Sequence, residues 1–395
     1  MFKYIFILTL TFFTAEVCHA QKEAKLPVQK VLKLAEAQLQ GYLSKYPDTT
    51  KYARNTNADG SLRTVNASDW TSGFFPGELW FIYRFTNNPY WKKQAMAFTA
   101  GIESQQNNTG THDLGFMMYN SIGQAYHLTG SAHHKQVLLQ GAKSLATRFN
   151  ANVGAIKSWD NPKFNYPVIV DNLMNLEYLF WATRVSGDSS FYKIAVKHAN
   201  TDMQYRFRIN NSTYHVLDFD KETGKLLAKR THQGNADESC WARGQAWAIY
   251  GYTNLYRETK DKRYLKQAMK AANYFISQTN KIADHIPYWD FNAPDIPTAP
   301  RDASAAAVAA SGMLELSHYA GAKNVYKQKA VQMLKNLCSP QYLAKTGTNN
   351  YFLLKHSTGH KPAGTEINVP IVYADYYLLE ALWRYQNYSN MKKWF

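Results

Sequence analysis

The sequence predicts an all-α fold, six helical hairpins closed into an (α/α)6 toroid, a six-hairpin barrel that forms a single domain. Three observations lead to it. Twelve apolar-periodic stretches run along the chain, at 27–46, 74–86, 89–105, 116–129, 132–149, 171–186, 189–206, 240–258, 261–278, 303–320, 324–338 and 372–388. A degenerate unit recurs about every 40–70 residues, as in stacked helical hairpins. The stretches are also of two kinds, which must pack differently.

Ahead of the first stretch stands "MFKYIFILTLTFFTAEVCHA". One lysine, an apolar run and a small-residue end read as a signal peptide over 1–20, too short to span a bilayer. Residues 21–395 would then be the barrel of an exported protein, periplasmic or secreted, without a membrane partner. Of its three cysteines only Cys240 and Cys338 lie beyond the leader. Two cysteines make no disulfide framework, so the core carries the stability.

The recurring unit is a polar or glycine turn, an aromatic or histidine, then a Lys- and Ala-rich helix: "RFTNNPYWKKQA", "HLTGSAHHKQV", "RVSGDSSFYKIAVKHA", "RETKDKRYLKQAMKAA" and "HYAGAKNVYKQKAVQML". "NLMNLEYLFWATR" and "AAAVAASGMLELSHY" are apolar nearly all round, whereas "DKRYLKQAMKAANYF" is amphipathic. All-round apolar helices are buried and amphipathic ones face water on one side. Six of each make a toroid; an open solenoid is the alternative. No linker rich in Pro, Gly or Ser divides the chain. The long loops, 55–72, 150–170, 207–239, 280–301 and 345–370, are where a site would be built.

The formal net charge is +16. Export makes nucleic acid an unsuitable partner, and without a dense Lys/Arg block the charge reads as a diffuse field, suited to an acidic glycan or simply to solubility. HExxH pairs, clustered cysteines and EF-hand loops are missing, so no metal signature appears, and Gly-rich phosphate loops are missing too.

In a toroid the inner helices run the same way and their N-termini gather at one mouth. Four of them begin "WTSGFFPGELW", "THDLGFMMYN", "VIVDNLMNLEY" and "DESCWARGQAW". Asp113 and Asp171 stand at two of these starts, as ordinary N-caps or as a catalytic pair. The apolar approach Pro167–Val170 is expected to raise the pKa of Asp171, while Asp113, beside His112 in a polar loop, should stay ionised. Two carboxylates in unlike surroundings suit acid–base work on a sugar. Trp70, Phe74, Trp159, Trp241 and Trp247 would face sugar rings or fill the core. His215, His232 and Gln233 would donate hydrogen bonds. Arg243, in the first turn of its helix against the dipole, would stack on Trp247 and form an anion site for a sugar carboxylate, or else pair with Asp237 or Glu238. Lys355, His356, Ser357, His360 and Lys361 would meet a sulfate or form a solvated loop.

"WTSGFFPGELW", "HDLGF", "VDNLMNLE", "HQGNADESCWARGQAW" and "ADYYLLEAL", in this order over most of the chain, resemble the unsaturated glucuronyl hydrolases, glycoside hydrolase family 88. The resemblance implies an (α/α)6 barrel without metal or organic cofactor. It also implies action on oligosaccharides that lyases leave with a C4=C5 unsaturated uronate at the non-reducing end. The family's two functional aspartates fall on Asp113 and Asp171, the latter as acid/base. Its substrate contacts fall on Trp70, Phe74, His112, Trp159, His215, Gln233, Trp241, Arg243 and Trp247. The implied reaction protonates C4, adds water at C5 and expels the aglycone as the hemiketal opens. A rhamnogalacturonyl hydrolase acting on pectin fragments, a toroid polysaccharide lyase and a non-catalytic glycan-binding protein are the alternatives. A monomer is expected.

Overall fold

The computed structural model describes residues 25–321 and 325–394; the leader expected over 1–20 lies outside them. Among the described residues the helices fall where the apolar period places them. They are α1 (Val28–Lys45), α2 (Phe74–Thr86), α3 (Pro89–Ile102), α4, α5 (Ala132–Ala146), α6 (Asn172–Ser186), α7 (Ser189–Tyr205), α8 (Ala242–Thr259), α9 (Lys262–Thr279), α10 (Ala303–Tyr319), α11 (Val325–Leu337) and α12 (Val372–Gln386). Helix α4 starts as a π-helix over Gly115–Gly123 and continues as an α-helix over Gln124–Thr129.

Helices α2, α4, α6, α8, α10 and α12 each touch the next, and α12 returns to α2, which closes the inner ring. Burial follows. Helix α8 is buried without a break from Ala242 to Leu255, and α10 from Ala303 to Ser317. Outer helix α9 buries only one stripe, Tyr264, Ala268, Ala271, Ala272, Phe275, Ile276 and Thr279, at the spacing of a helical face. Two inner glycines let backbones approach closely: a Cβ at Gly251 would sit 2.5 Å from the Leu173 Cβ, and one at Gly312 3.0 Å from the Tyr250 Cα.

The polar turns of the repeat are helix caps. Asn88, Ser131, Asp188 and Asp261 each accept a hydrogen bond from an amide of the outer helix they precede. Each such cap contributes about 1 kcal/mol.

Three small sheets lie in the long loops, where the sequence reading placed no strands. β1 (Tyr52–Thr56) pairs with β2 (Leu62–Val65), and β3 (Phe149–Asn150) with β4 (Ala155–Ile156). β5 (Tyr166–Ile169), β6 (Val216–Phe219) and β7 (Leu226–Arg230) form an antiparallel sheet with β6 in the middle. Pairing satisfies the backbone groups of loops folded against the barrel mouth. The far end of the ring is filled by ion pairs: Arg257 meets Glu177 and Glu315 at 2.5 and 2.9 Å, and Arg384 meets Glu315 at 3.2 Å.

Candidate active site

A pocket of about 300 Å3 opens at the N-terminal ends of the inner helices. Trp70, His112, Asp113, Trp159, Asp171, His232 and Gln233 line it, joined by Arg54, Arg63, Ile169, His360, Thr365 and Glu366. Four of the five long loops supply nine of these thirteen residues, and 280–301 supplies none.

Sheet pairing assembles the centre. Ile169 of β5 lies opposite Val216 of β6, and the Val170 amide donates to the His215 carbonyl at 3.1 Å. Asp171 and His215, far apart in sequence, therefore meet. The His215 Nδ1 accepts hydrogen bonds from the amides of His232 and Gln233, both at 3.1 Å. A nitrogen that accepts carries no proton, so the neutral ring keeps its hydrogen on Nε2. That nitrogen stands 3.6 Å from Asp171 Oδ2, just beyond hydrogen-bond distance. Asp171 precedes α6 but makes no capping bond with its side chain. It is oriented toward chemistry rather than toward its helix.

The second carboxylate has the opposite arrangement. His112 Nδ1 lies 2.8 Å from the Ser158 carbonyl, which can only accept, so Nδ1 carries the hydrogen. Its Nε2 lies 3.2 Å from Asp113 Oδ1, so the ring is held against the carboxylate.

The expected order of acidities is corrected. Burial pushes the Asp113 carboxyl up, and His112 pulls it back only in part, so its pKa is raised. Burial pushes Asp171 up as well, but His215, His112 and Arg243 outweigh it, and its pKa is lowered. The apolar approach is there; the histidine from the neighbouring strand overrides it.

Trp70 and Trp159 present half-buried rings to the pocket. Trp70 packs on Tyr373 and Trp159 on His232, with ring centroids 5.1 and 5.3 Å apart. The substrate-facing role expected of Phe74, Trp241 and Trp247 is corrected. Phe74 and Trp247 are fully buried among the aromatic rings of the inner helices, and Trp241 backs His215 at 4.6 Å. They brace the site from behind.

The anion site expected at Arg243 is also corrected. Its guanidinium is 1% exposed and lies within the wall. It bonds Asp302 Oδ2 at 2.6 Å and the Thr358 and Gly359 carbonyls at 2.8 and 2.7 Å, and it stacks on Trp241 rather than Trp247. Neither Asp237 nor Glu238 is its partner. The pocket's cations are Arg54 and Arg63, which the sequence reading missed. Arg54 bonds both oxygens of Asp69 at 2.6 Å and Glu366 at 2.7 Å. Arg63 has a 3.5 Å contact with Glu366 and is 42% exposed. Their signal was present in "YARNTNADGSLRTV", where a hairpin closes on Asp-Gly and sets the two arginines on adjacent strands. In the 351–369 segment His360 faces the pocket, whereas Lys361 turns away to Asp295 at 2.8 Å. Among the described residues no group of three or more His, Cys, Asp or Glu is placed to hold a metal ion, and no helix is long and apolar enough to cross a membrane.

The model of Glycosyl Hydrolase Family 88 matches residues 44–391. An unsaturated glucuronyl hydrolase of Formosa agariphila is 43% identical over 391 residues, 97% of both chains. An unsaturated chondroitin disaccharide hydrolase of Streptococcus pneumoniae is 30% identical over 381 residues, 94% of both chains. A solved structure described as an unsaturated glucuronyl hydrolase specific for heparin superposes with a TM-score of 0.89 at 44% identity, over 93% of this chain and 98% of that one. With the barrel, the paired aspartates and a match across nearly all described residues, this chain belongs to glycosyl hydrolase family 88 and is a glycoside hydrolase.

Proposed function

We propose that the protein removes the 4,5-unsaturated uronic acid from the non-reducing end of lyase-generated, glycosaminoglycan-type oligosaccharides by hydrating the C4=C5 bond. The observation that carries this reading is the pair of unlike carboxylates, Asp113 and Asp171, in one small pocket at the barrel mouth. At about 300 Å3 the pocket suits a chain end. Its lining holds three histidines but no tyrosine, which speaks against the Tyr/His base pair of a lyase. The names of the relatives favour glucuronyl substrates over pectin fragments. The leader supports export to the periplasm.

Asp171 transfers the proton to C4. The positive charge left at C5 is shared with the ring oxygen, and water adds there as Asp171 takes its proton back. The C5 hemiketal opens to a ketone, and the C1 hemiacetal so formed releases the aglycone. The raised pKa of Asp113 disfavours a second full negative charge beside an anionic sugar. Trp70 and Trp159 offer flat faces, and Arg63 is the pocket cation best placed to meet an acidic group.

The empty site holds Asp171 low. A bound uronate brings its own carboxylate and excludes water, and both push the Asp171 pKa up. Because the reaction needs protonated Asp171, activity falls as pH rises through its pKa. The alkaline limb of kcat/KM, which reports the free enzyme, should therefore lie at lower pH than that of kcat. Coincident limbs would show that substrate does not retune Asp171.

The test of the reaction is turnover of an unsaturated disaccharide in heavy water. Deuterium at C4 of the released keto-sugar is the expected result. A product without it would mean cleavage at the anomeric carbon and would overturn the hydration reading.

A further inference from the structure

We propose that a groove on the side of the barrel, separate from the active site, is a second binding site for acidic glycan chains. This rests on the reading that the substrates derive from acidic glycans. The groove encloses about 670 Å3 between α1 and the segment that follows α11, and it shares no lining residue with the catalytic pocket. Lys30 and Lys33, one turn apart on α1, form one wall; Lys345 and Lys355 form the other; Leu34 and Leu343 lie between them.

Three features make this an anion site. First, the lining contains no acidic residue, and among the described residues none of the four lysines forms an ion pair. Lys355 has a carbonyl partner, Pro340, at 2.9 Å, and its charge remains unneutralised. Second, the chain that supplies Lys345 and Lys355 is one-signed: residues 316–365 carry seven lysines and no aspartate or glutamate. A cleft with charge of one sign on low-dielectric walls focuses its field on a counter-ion. Third, the floor is apolar while the rim offers the hydroxyls of Thr346 and Thr348, an alternation that suits a sugar chain, with its C–H faces and its anionic and hydroxyl edges.

The occupant is an extended chain with several carboxylates or sulfates, because four spaced ammonium groups match a repeating polyanion better than one small anion. Its effect is to hold long fragments near an enzyme that acts on their ends, with no chemistry in the groove.

The probe is a heparin-type octasaccharide with a saturated non-reducing end, which lacks the double bond that the catalytic pocket would process. Its binding is measured by calorimetry at about 50 and 150 mM salt, where screening differs. Wild-type protein should bind it, more weakly at the higher salt. Lys30→Glu/Lys33→Glu should bind at least about tenfold more weakly, since two exposed ion pairs become two repulsions. Turnover of an unsaturated disaccharide should stay within about twofold. Lys345→Glu repeats the test on the opposite wall, away from the helix. No octasaccharide binding by the wild type, or undiminished binding by these variants, overturns the proposal. Equal affinity for a single-stranded DNA oligonucleotide of the same charge overturns the glycan assignment. A wild type that binds the octasaccharide but does not process the disaccharide would instead overturn the catalytic reading and leave the groove in place.

Discussion

Replacing Asp171 with Asn is expected to lower kcat by about 10²–10⁴-fold, the loss typical of a missing general acid/base. Shape is not the cause. The amide oxygen of Asn can face His215 Nε2 as the carboxylate does, and that nitrogen's proton is fixed there by the His232 and Gln233 amides bonded to Nδ1. What the amide cannot do is give a proton to C4 or take one from water. KM should change far less than kcat, because Trp70, Trp159 and the arginines stay in place. Loss of the ultraviolet absorbance of the conjugated double bond measures the rate. The sign of the linked stability follows from the lowered pKa. Asp171 contributes stability above the ordinary carboxylate range and loses it as pH falls through its folded pKa, so a melting difference between Asn variant and wild type should shrink in acid. A kcat within tenfold of wild type would remove Asp171 from proton transfer.

The helices were legible because one period governs each. An all-round apolar run such as Ala305–Leu314 has nowhere to go but the interior, and the polar turns carry their own capping residues. The site was legible only as positions along the chain. Asp113 and Asp171 were found from their places at helix starts, but their acidities depend on neighbours distant in sequence, His215 above all, delivered by β6. Reading Pro167–Val170 as the environment of Asp171 therefore reversed the order of the pair. Phe74, Trp241 and Trp247 failed as pocket residues for a related reason. Nearness to the start of an inner helix does not tell which face points to the mouth and which into the ring. Arg54 and Arg63 escaped because their strands lie in a loop, where no helical period marks them.

Arg243→Met is expected to unfold the protein more easily, by about 3–5 kcal/mol, rather than to weaken substrate binding directly. Its partner Asp302 is fully buried, and removal of the guanidinium leaves that carboxylate charged and unpaired in the wall. Burial opposes the charge on Arg243, but Tyr373, Asp302, Asp171 and Glu366 together hold its pKa above the ordinary value, so the native pair is ionic. The Thr358 and Gly359 carbonyls lose donors in the same change. Gly359 also accepts from Gln233 at 3.1 Å, so the 351–369 segment and the pocket wall loosen together. For a chain of this size the melting temperature should fall by roughly 4–6 °C. A double variant, Arg243→Met with Asp302→Leu, separates this from loss of a substrate contact. Replacing both ends of a buried pair by apolar groups is often neutral, so the double variant should regain much of the lost stability. If Arg243 met the substrate carboxylate instead, the single variant would melt like wild type while KM rose more than tenfold, and the second substitution would restore nothing. An arginine in the first turn of α8 is thus explained by what it holds in place: Asp302 neutralises it, and two carbonyls of the pocket wall fix its fork against the unfavourable end of the helix dipole.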